Sequence, residues 1–267
     1  MTTTHPADRP IEATLPDLQE RAPESLGFGA LVEVGLADRY APIQTPLGRA
    51  YVAWNGRGVS WLSADEADDF ATRFTSQVGR PIRRADTLPD RLGRSIERRL
   101  AGDRRARVPL DLRGHSPFEV AVWTKALEIP RGEVRPYAWV AAEIGRPRAV
   151  RAVGTALAHN PVPLVVPCHR VVRSDGTMGQ YSMGGPDAKR RILGAEGLDA
   201  AALEREAASG IRFIGSDTTH IVCHPTCRDA RRVTPRHRIG FPSLAAASAA
   251  GYRPCRHCRP VSLGRAA

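Results

Sequence analysis

Hydrophobic and polar residues alternate along several short segments of the chain, and such alternation predicts half-buried β-strands. The sequences TPLG and NGRG separate the first three segments and are typical of tight turns. A capping-box pattern from Ser63 to Glu66 predicts the start of a helix. The predicted strands cover residues 40–44, 49–54, 59–62, 81–84 and 108–112, and the predicted helices cover residues 63–77 and 89–101. Together they indicate a small α/β domain over residues 37–112 with a small antiparallel sheet.

From residue 113 onward the hydrophobic spacing becomes helical, which predicts a mainly α-helical domain over residues 113–197. Ser116 and Pro117 suit the N-cap and the first position of a helix. The apolar residues that follow them fit one buried face.

Two shorter helices are predicted inside this second domain, at residues 137–144 and 148–158, with the sequence GRP between them. A tight helix pair with a glycine in its turn is typical of a helix-turn-helix motif. The second helix carries Arg148 and Arg151, which suits contact with DNA. A plain helical hairpin with solvated arginines is the alternative.

The remaining parts of the chain show weaker patterns. Residues 1–36 contain proline, acidic and small residues with little periodicity, which indicates a loose N-terminal extension. Residues 198–210 are predicted to form a helix or a linker. A separate cysteine-bearing module is expected over residues 211–262.

Charge and cysteine content narrow the functional classes. The formal net charge is +11, and because basic side chains release counterions from phosphates, nucleic acid is the expected partner. An arginine-rich composition inherited from a GC-rich genome is the alternative, since only two of the 39 basic residues are lysines. No apolar run approaches the length of a membrane span, and the polar start lacks the features of a signal peptide. We therefore expect a cytosolic protein whose thiols stay reduced.

One cysteine, Cys168, stands apart from the other four and lies between two apolar runs in the segment 160–172. Burial alone raises the pKa of a thiol and makes it inert. His169 follows directly and could accept the thiol proton, which would create a nucleophilic thiolate. A buried structural cysteine beside a surface histidine is the alternative on residue types alone.

The motifs around this cysteine form a recognisable set. They are TPLG, LDLRG followed by F and VW, GEV followed by Y, RAVG, NPVP, PCHRV, GQYS and a final EG, in this order between Tyr40 and Gly197. In this order and spacing the set resembles the O6-alkylguanine-DNA alkyltransferase family, whose active-site signature is PCHRV. The resemblance implies a ribonuclease-H-like N-terminal domain and a helix-turn-helix catalytic domain. It also implies a protein that repairs one lesion and stops, because a thioether is not hydrolysed under these conditions.

The resemblance assigns catalytic roles residue by residue. Cys168 would accept the alkyl group, and His169 would take its proton through a bound water. Glu196 would hold the imidazole in the basic tautomer, and Asn160 would brace the turns around the site. Tyr137 would donate a proton or hydrogen bond to N3 of the leaving guanine.

It also assigns contacts with DNA. The Val171 carbonyl and the backbone at Tyr181 and Ser182 would contact the edges of a guanine rotated out of the duplex. Arg151 would fill the gap left in the base stack, with Arg148 beside it on the same helix. The implied partner is double-stranded DNA carrying O6-alkylguanine, bound by a monomer in the minor groove without sequence preference and without an organic cofactor. A non-enzymatic damage sensor that recruits other factors is the second hypothesis.

The four remaining cysteines predict a metal site. They form a Cys-x3-Cys pair and a Cys-x2-Cys pair separated by 27 residues: Cys223, Cys227, Cys255 and Cys258. Four thiolates with this pairing match a structural, tetrahedral Zn²⁺ site. Two disulfides or four free thiols are the alternatives. His224 and His257 are expected not to be ligands, because four cysteines already close the shell.

This module resembles the zinc domain of the adaptive-response (Ada) family, through TTHIVCHPTC and, after an alanine-rich helix at 244–250, GYRPCRHCRP. In that family the first cysteine, here Cys223, accepts a methyl group from a DNA methylphosphotriester. The sequence departs from the family pattern because the domain follows the catalytic domain and because His220 and His224 flank Cys223. Cys223 is therefore a possible second methyl acceptor, and a purely structural or DNA-tethering module is the alternative.

Overall fold

The computed structural model describes residues 24–262 of the 267-residue chain. Its helices are α1 Glu24–Val34, α2 Ala67–Val78, α3 Asp90–Leu100, α4 Pro117–Ala126, α5 Tyr137–Glu143, α6 Val150–Ala158, α7 Gly185–Ala195, α8 Ala200–Ala208 and α9 Leu244–Ala249. Its strands are β1 Asp38–Thr45, β2 Gly48–Asn55, β3 Gly58–Ser63, β4 Ile82–Arg84, β5 Arg135–Pro136, β6 Val171–Val172, β7 Phe213–Ser216, β8 Ile221–Cys223, β9 Arg238–Phe241 and β10 Arg253–Pro254.

The first sheet has the strand order β3-β2-β1-β4. Strands β1, β2 and β3 form an antiparallel meander, as the alternating sequence predicts. Strand β4 instead pairs with β1 in parallel, so the prediction of an antiparallel sheet is wrong for this edge. The reason is the connection: α2 carries the chain from β3 to β4, and a helical crossover returns a strand in the same direction.

Both faces of this sheet are covered, and they face different cores. Tyr51 and Ala53 of β2 point to a cluster that includes Phe70 and Phe74 of α2. The alternate residues Val52 and Trp54 belong to the largest core cluster, which also contains Trp123, Val140, Val153 and Cys168. The α/β part and the helical part are therefore joined by a shared hydrophobic core.

The loose extension predicted through residue 36 is wrong for residues 24–34, which form α1. Phe28 and Val32 are buried, and the guanidinium of Arg83 lies 4.3 Å from the centre of the Phe28 ring. The Gly56 N–H of the β2–β3 turn donates to the Val32 carbonyl at 2.9 Å. These are tertiary contacts, which local periodicity does not report; residues 1–23 lie outside the described part of the chain.

Two further local predictions are wrong. The capping box at Ser63 does not form, because Ser63 stays paired with Tyr51 at the end of β3, and α2 begins at Ala67 without a side-chain cap. The segment 108–112 forms one isolated bridge, between Leu110 and Val59, instead of a strand. Pro109 has no N–H to continue a ladder there.

The helical half agrees closely with its pattern. Ser116 caps α4 in a full capping box with Glu119. Helices α5 and α6 form the predicted pair, and Gly145 in their turn has φ +71°, a left-handed conformation that favours glycine. The predicted start at residue 148 is wrong, because α6 begins at Val150, so Arg151 lies on the helix and Arg148 lies just before it. The indole N–H of Trp123 donates to the Ala156 carbonyl at 2.7 Å, which joins α4 to α6.

Residues 198–210 contain α8, whose N-cap Asp199 accepts from the Ala202 N–H. Beyond it lies a second sheet with the order β10-β8-β7-β9, and the predicted alanine-rich helix forms as α9. Between residues 24 and 262 none of the helices has both the length and the apolar character needed to cross a bilayer.

A buried polar network ties the first sheet to the segment that enters the helical half. Asn55 Nδ2 donates to Asp38 Oδ1 at 3.0 Å and to Asp111 Oδ2 at 2.8 Å. Arg80 lies 2.7 Å from the first carboxylate and 3.3 Å from the second. Burial raises the pKa of Asp111, but hydrogen bonds from Arg113 and Asn55 outweigh it and lower the pKa to about 2. Asp111 is therefore ionised at neutral pH and depends on these donors.

Replacing Asn55 should destabilise this network. Asn55→Leu removes both amide donors and leaves two buried carboxylates less solvated, so we expect a loss of about 2 kcal/mol in the free energy of unfolding. Urea unfolding of wild type and variant measures this loss. Gln44→Leu, a change at an exposed strand position, is the matched control. Equal stabilities for the two variants would contradict the proposed importance of the amide.

Candidate active site and metal centre

Cys168 lies at the start of a 3-10 turn, Cys168–Arg170, directly before β6. It is 6% exposed and belongs to the largest hydrophobic core. Just before it, Leu164 adopts a left-handed backbone conformation with φ 72°. Such strain in a non-glycine residue persists where surrounding contacts enforce it, and it is common near functional sites.

The side chain of Asn160 donates a hydrogen bond to the Cys168 sulfur. Asn160 Nδ2 lies 3.1 Å from Sγ and 3.0 Å from the Val166 carbonyl, and Asn160 Oδ1 accepts from the Val162 N–H at 3.1 Å. Burial raises the pKa of the Cys168 thiol, while the Asn160 hydrogen bond and the charge of Lys189 act in the opposite direction. The resting group is therefore a protonated thiol.

His169 and Glu196 form a buried pair next to this thiol. His169 Nε2 lies 3.0 Å from Glu196 Oε1, and the histidine is 1% exposed. Arg170 Nη2 donates to the same carboxylate at 2.7 Å, and the Gly132 N–H donates to its other oxygen at 3.2 Å. Burial raises the pKa of Glu196, but the hydrogen bonds from His169 and Arg170 outweigh it and lower the pKa to about 2. Burial lowers the pKa of His169, so a neutral imidazole faces an ionised carboxylate.

Two buried polar atoms beside this pair lack hydrogen-bond partners among the described residues. They are Nδ1 of His169 and the hydroxyl of Tyr181, whose rings are 6.2 Å apart between centres. Buried polar groups are normally paired, so unpaired ones call for a specific explanation. Because Nε2 is engaged by Glu196, Nδ1 is the ring nitrogen free to accept a proton.

Lys189 is a site residue that the sequence analysis missed. It is fully buried on α7, and its Nζ donates to the Val171 carbonyl at 2.5 Å. Burial lowers the pKa of Lys189 to about 8, and a negative charge on Cys168 acts to raise it. The amino-acid composition could have pointed to it, because Lys189 is one of two lysines in a chain whose other basic residues are arginines.

Tyr137 begins α5 and lies partly buried near the thiol. Burial raises its pKa, and a charge on Cys168 raises it further. A groove of about 960 Å³ passes over this tyrosine and along α6, and Arg148 and Arg151 line it. The predicted DNA-contacting arginines are thus exposed beside the predicted proton donor.

The residues expected to contact the guanine lie in two different places, some in the buried centre and one at its edge. The Val171 carbonyl accepts from Lys189, which engages one of its lone pairs. Tyr181 is buried beside His169, whereas Ser182 is exposed and lines a second groove, of about 900 Å³, together with Asn160. The structure therefore groups Asn160, Cys168, His169, Tyr181 and Glu196 in one buried centre and places Ser182 at its edge.

The four C-terminal cysteines come together in a second centre. Strands β8 and β10 pair in parallel. The first cysteine pair begins with the last residue of β8, and the second begins directly after β10. The four sulfur atoms lie within 4.8 Å of one another, all four residues are buried, and none forms a disulfide. The pKa of Cys223 is raised because its thiol is hydrogen-bonded to Cys227 and Cys258 and is buried. Such a packed sulfur set fits a metal that binds thiolates, most simply zinc.

Neither neighbouring histidine belongs to the four-sulfur group. His224 is buried, its backbone N–H donates to Cys258 Sγ at 3.3 Å, and its Nε2 has no partner among the described residues. His257 is exposed, and its Nδ1 lies 2.7 Å from Asp229.

Cys223 is buried, but part of it reaches the surface of the module. It lines a groove of about 320 Å³ that also contains Ser216, Arg232 and His237. A sulfur that borders a groove with cationic and hydroxyl groups is better placed to meet an external electrophile than one enclosed by protein.

Two known protein families match this chain, and each match contains one of the two centres. Residues 117–198 match the family described as 6-O-methylguanine DNA methyltransferase, DNA binding domain. Residues 198–261 match the metal binding domain of Ada. The first match contains Cys168, His169 and Glu196, and the second contains all four clustered cysteines.

Individual relatives point the same way. The bifunctional transcriptional activator/DNA repair enzyme Ada of Escherichia coli K12 is 36% identical over 187 residues, covering 65% of this chain and 52% of the relative. The methylated-DNA–protein-cysteine methyltransferase of Mycobacterium bovis is 48% identical over 89 residues, covering 33% and 53%. The chain thus spans about half the length of these curated relatives.

A solved structure covers its counterpart more completely. The crystal structure of Mycobacterium tuberculosis O6-methylguanine methyltransferase matches with a TM-score of 0.50 and 34% identity, over 60% of this chain and 92% of that one. The fold and the first matched region are similar to those of the methylated-DNA–protein-cysteine methyltransferases. This chain belongs to the O6-alkylguanine-DNA alkyltransferase family and carries a C-terminal Ada-like metal-binding domain.

Removing the Lys189 charge should make Cys168 harder to ionise. Lys189→Met eliminates a buried cation whose charge lowers the pKa of the thiol, so that pKa should rise and alkylation by iodoacetamide at fixed pH should slow severalfold. Peptide mass mapping of Cys168 across a pH series measures this rate. Lys125→Met, at the other lysine, is the matched control. An unchanged rate in Lys189→Met would show that the ammonium does not influence the sulfur.

Proposed function

We propose that this protein repairs DNA by irreversible transfer of the alkyl group of O6-alkylguanine to Cys168. The observation that carries the proposal is the buried centre itself: Asn160 Nδ2 lies 3.1 Å from the sulfur, and the adjacent His169 is paired with Glu196 through Nε2 at 3.0 Å. A structural cysteine needs no such neighbours. Family membership and the chemistry of these side chains support the same reaction.

The hydrogen bond between His169 and Glu196 determines which ring nitrogen can receive the proton of Cys168. Because Glu196 occupies Nε2 of His169, Nδ1 is the atom that receives the Cys168 proton, directly or through a water. The neutral imidazole and the ionised carboxylate are the correct states for a general base and its orienting group. Burial raises the pKa of the thiol, so its proton must move to His169 for the sulfur to attack.

The alkyl transfer is then a single displacement at the alkyl carbon. A bond forms between Cys168 Sγ and the alkyl carbon, and the bond from that carbon to guanine O6 breaks with its electron pair staying on guanine. A hydrogen bond or proton from Tyr137 to N3 would stabilise the leaving base, and this effect is strongest in a water-poor site. The product thioether cannot be hydrolysed, so each molecule acts once.

The exposed arginines beside Tyr137 support double-stranded DNA as the partner. We propose that α6 enters the minor groove, with Arg151 filling the stack after the damaged nucleotide rotates out and Arg148 contacting the backbone. Gly154 faces the same groove and permits close approach. Tyr181, Ser182 and a free lone pair of the Val171 carbonyl would contact the base. Binding as a monomer is part of this proposal.

We also propose the finer description of the architecture. The order β3-β2-β1-β4, with a parallel final pair, is the arrangement expected of a ribonuclease-H-like sheet. The proposed divisions are residues 37–112 together with the packed helix α1, then 113–197, 198–210 and 211–262.

For the second centre we propose that the four cysteines bind one Zn²⁺. The converging buried sulfurs support this choice, and a bound metal would hold the cysteines as thiolates at neutral pH. Cys223 is the candidate for a second methyl acceptor, because it borders the groove that contains Arg232 and His237. In that reaction a methylphosphotriester would lose its methyl carbon to Cys223 and become an ordinary phosphodiester. A structural or DNA-tethering module remains the competing role.

Intact-mass spectrometry tests the principal proposal against the sensor hypothesis. After mixing with a duplex that carries one O6-methylguanine, we expect a single methyl group in place of one hydrogen, mapped to Cys168. Cys168→Ala should bind the same DNA and gain no mass. No mass change in the metal-loaded wild type would leave the sensor hypothesis in place.

Metal analysis and methyl mapping test the second centre. We expect about one zinc per chain, lost in Cys258→Ser together with the fold of the module, because structural zinc supplies much of the folding free energy of so small a unit. Cys168→Ala should keep its zinc and serves as the control. Incubation with methylphosphotriester DNA should methylate Cys223. An unmodified Cys223 in zinc-loaded protein would assign the module a structural or tethering role.

A further inference from the structure

The four-cysteine module contacts the catalytic half through more than one segment. Arg259, which follows Cys258, lies 2.7 Å from Glu143, and a short loop brings Thr226 to the segment before β5. Thr226 lies between the first two cysteines, immediately before Cys227, and it is buried. Its Oγ1 accepts from the Val134 N–H at 2.9 Å and donates to the Val134 carbonyl at 3.2 Å. One hydroxyl thus satisfies both backbone groups of Val134, as a neighbouring strand would.

A second contact lies next to the first. The Arg228 N–H donates to Glu133 Oε1 at 3.2 Å, while the other oxygen of Glu133 pairs with Arg135 at 2.5 Å. Glu133 and Arg135 are both buried. The loop therefore contacts residues 133 and 134 on the side that faces the metal module.

The opposite side of the same segment faces the catalytic carboxylate. The Gly132 N–H donates to Glu196 Oε2 at 3.2 Å, and Arg135 of β5 pairs with Val171 directly after the cysteine turn. Gly132 has φ +70°, and a Cβ there would lie 3.0 Å from the Glu196 carbonyl and 3.5 Å from Nη1 of Arg231. A glycine is required because the module and the Glu196 backbone approach it from two sides.

We propose that Thr226 is a positioning residue for alkyl transfer at Cys168: through Val134 it fixes the segment whose Gly132 N–H holds Glu196 against His169. The inference rests on the proposed function of Cys168. It gives the C-terminal module a role in the first reaction, separate from any methyl transfer at Cys223. The two centres are then one mechanical unit, because the cysteine pair that brackets Thr226 sets the shape of its loop.

The expected effect has a defined direction. The Glu196 hydrogen bond acts to raise the pKa of His169, against the larger effect of burial. If Glu196 moves away, the imidazole becomes a weaker base, so its pKa falls and the acidic limb of the rate profile moves to lower pH. Arg170 and Lys189 also face His169, and neither is altered by a change at Thr226.

Two substitutions separate positioning from simple stability. Thr226→Val keeps the shape and removes the hydroxyl, whereas Thr226→Ser keeps the hydroxyl. Thr75→Val, which removes an exposed hydroxyl that bonds within its own helix, is the control. For each full-length protein we would measure zinc content, thermal unfolding, the His169 titration by NMR, and the single-turnover rate at saturating O6-methylguanine duplex across a pH series.

In Thr226→Val we expect the saturated rate to fall about fivefold, equivalent to about 1 kcal/mol in the barrier. We also expect a lower His169 pKa and an unchanged DNA concentration at half saturation. Thr226→Ser should keep the wild-type rate and His169 pKa, again with an unchanged DNA concentration at half saturation. The proposal fails if Thr226→Val leaves rate and titration unchanged, or if both variants lose stability alike with the His169 pKa unmoved. The NMR titration needs no alkyl transfer, and wild-type methylation of Cys168 is scored separately, so the two proposals can fail independently.

Discussion

The ionised carboxylate of Glu196 is the group on which the buried centre depends. It accepts from His169, from the guanidinium of Arg170 and from the backbone of Gly132, and His169 and Arg170 keep its pKa at about 2 despite burial. A buried carboxylate is stable when hydrogen-bond donors surround it. Removing one donor leaves part of its charge uncompensated, which is strongly destabilising. The same carboxylate selects which nitrogen of His169 is free, so the electrostatics of the fold and the proposed chemistry rest on one group.

Several distant parts of the chain converge on that carboxylate. The largest core joins the first sheet to the helices that carry the cysteine turn, and the segment before β5 reaches Glu196 from the side of the metal module. The contact at Thr226 makes that module more than an attached unit, because it satisfies backbone groups of the catalytic half. The family models identify both domains, whereas only the tertiary structure shows the contact between them.

Sequence reasoning located most of the site and part of the fold. The meander of β1 to β3, the capped helix α4 and the helix pair α5–α6 follow from periodicity and local capping. The cysteine pairing was readable because metal spacing is a local pattern, and the four sulfurs converge as expected. Helix α1 and the parallel strand β4 were not readable, since distant contacts and a crossover connection decide them. Lys189 was missed because a lysine on a helix is ordinarily solvated.

The amino-acid sequence by itself determined the family, the candidate nucleophile and the candidate metal ligands, because these depend on residue types at short, fixed spacings. Tertiary structure alone decided the protonation states, since burial and long-range partners set the pKa values of Cys168, His169 and Glu196. It also decided which side chains meet: Asn160 with the sulfur, Lys189 with the Val171 carbonyl, and Thr226 with Val134 across 92 residues. Such contacts depend on how helices, strands and loops pack together, so no local sequence pattern predicts them.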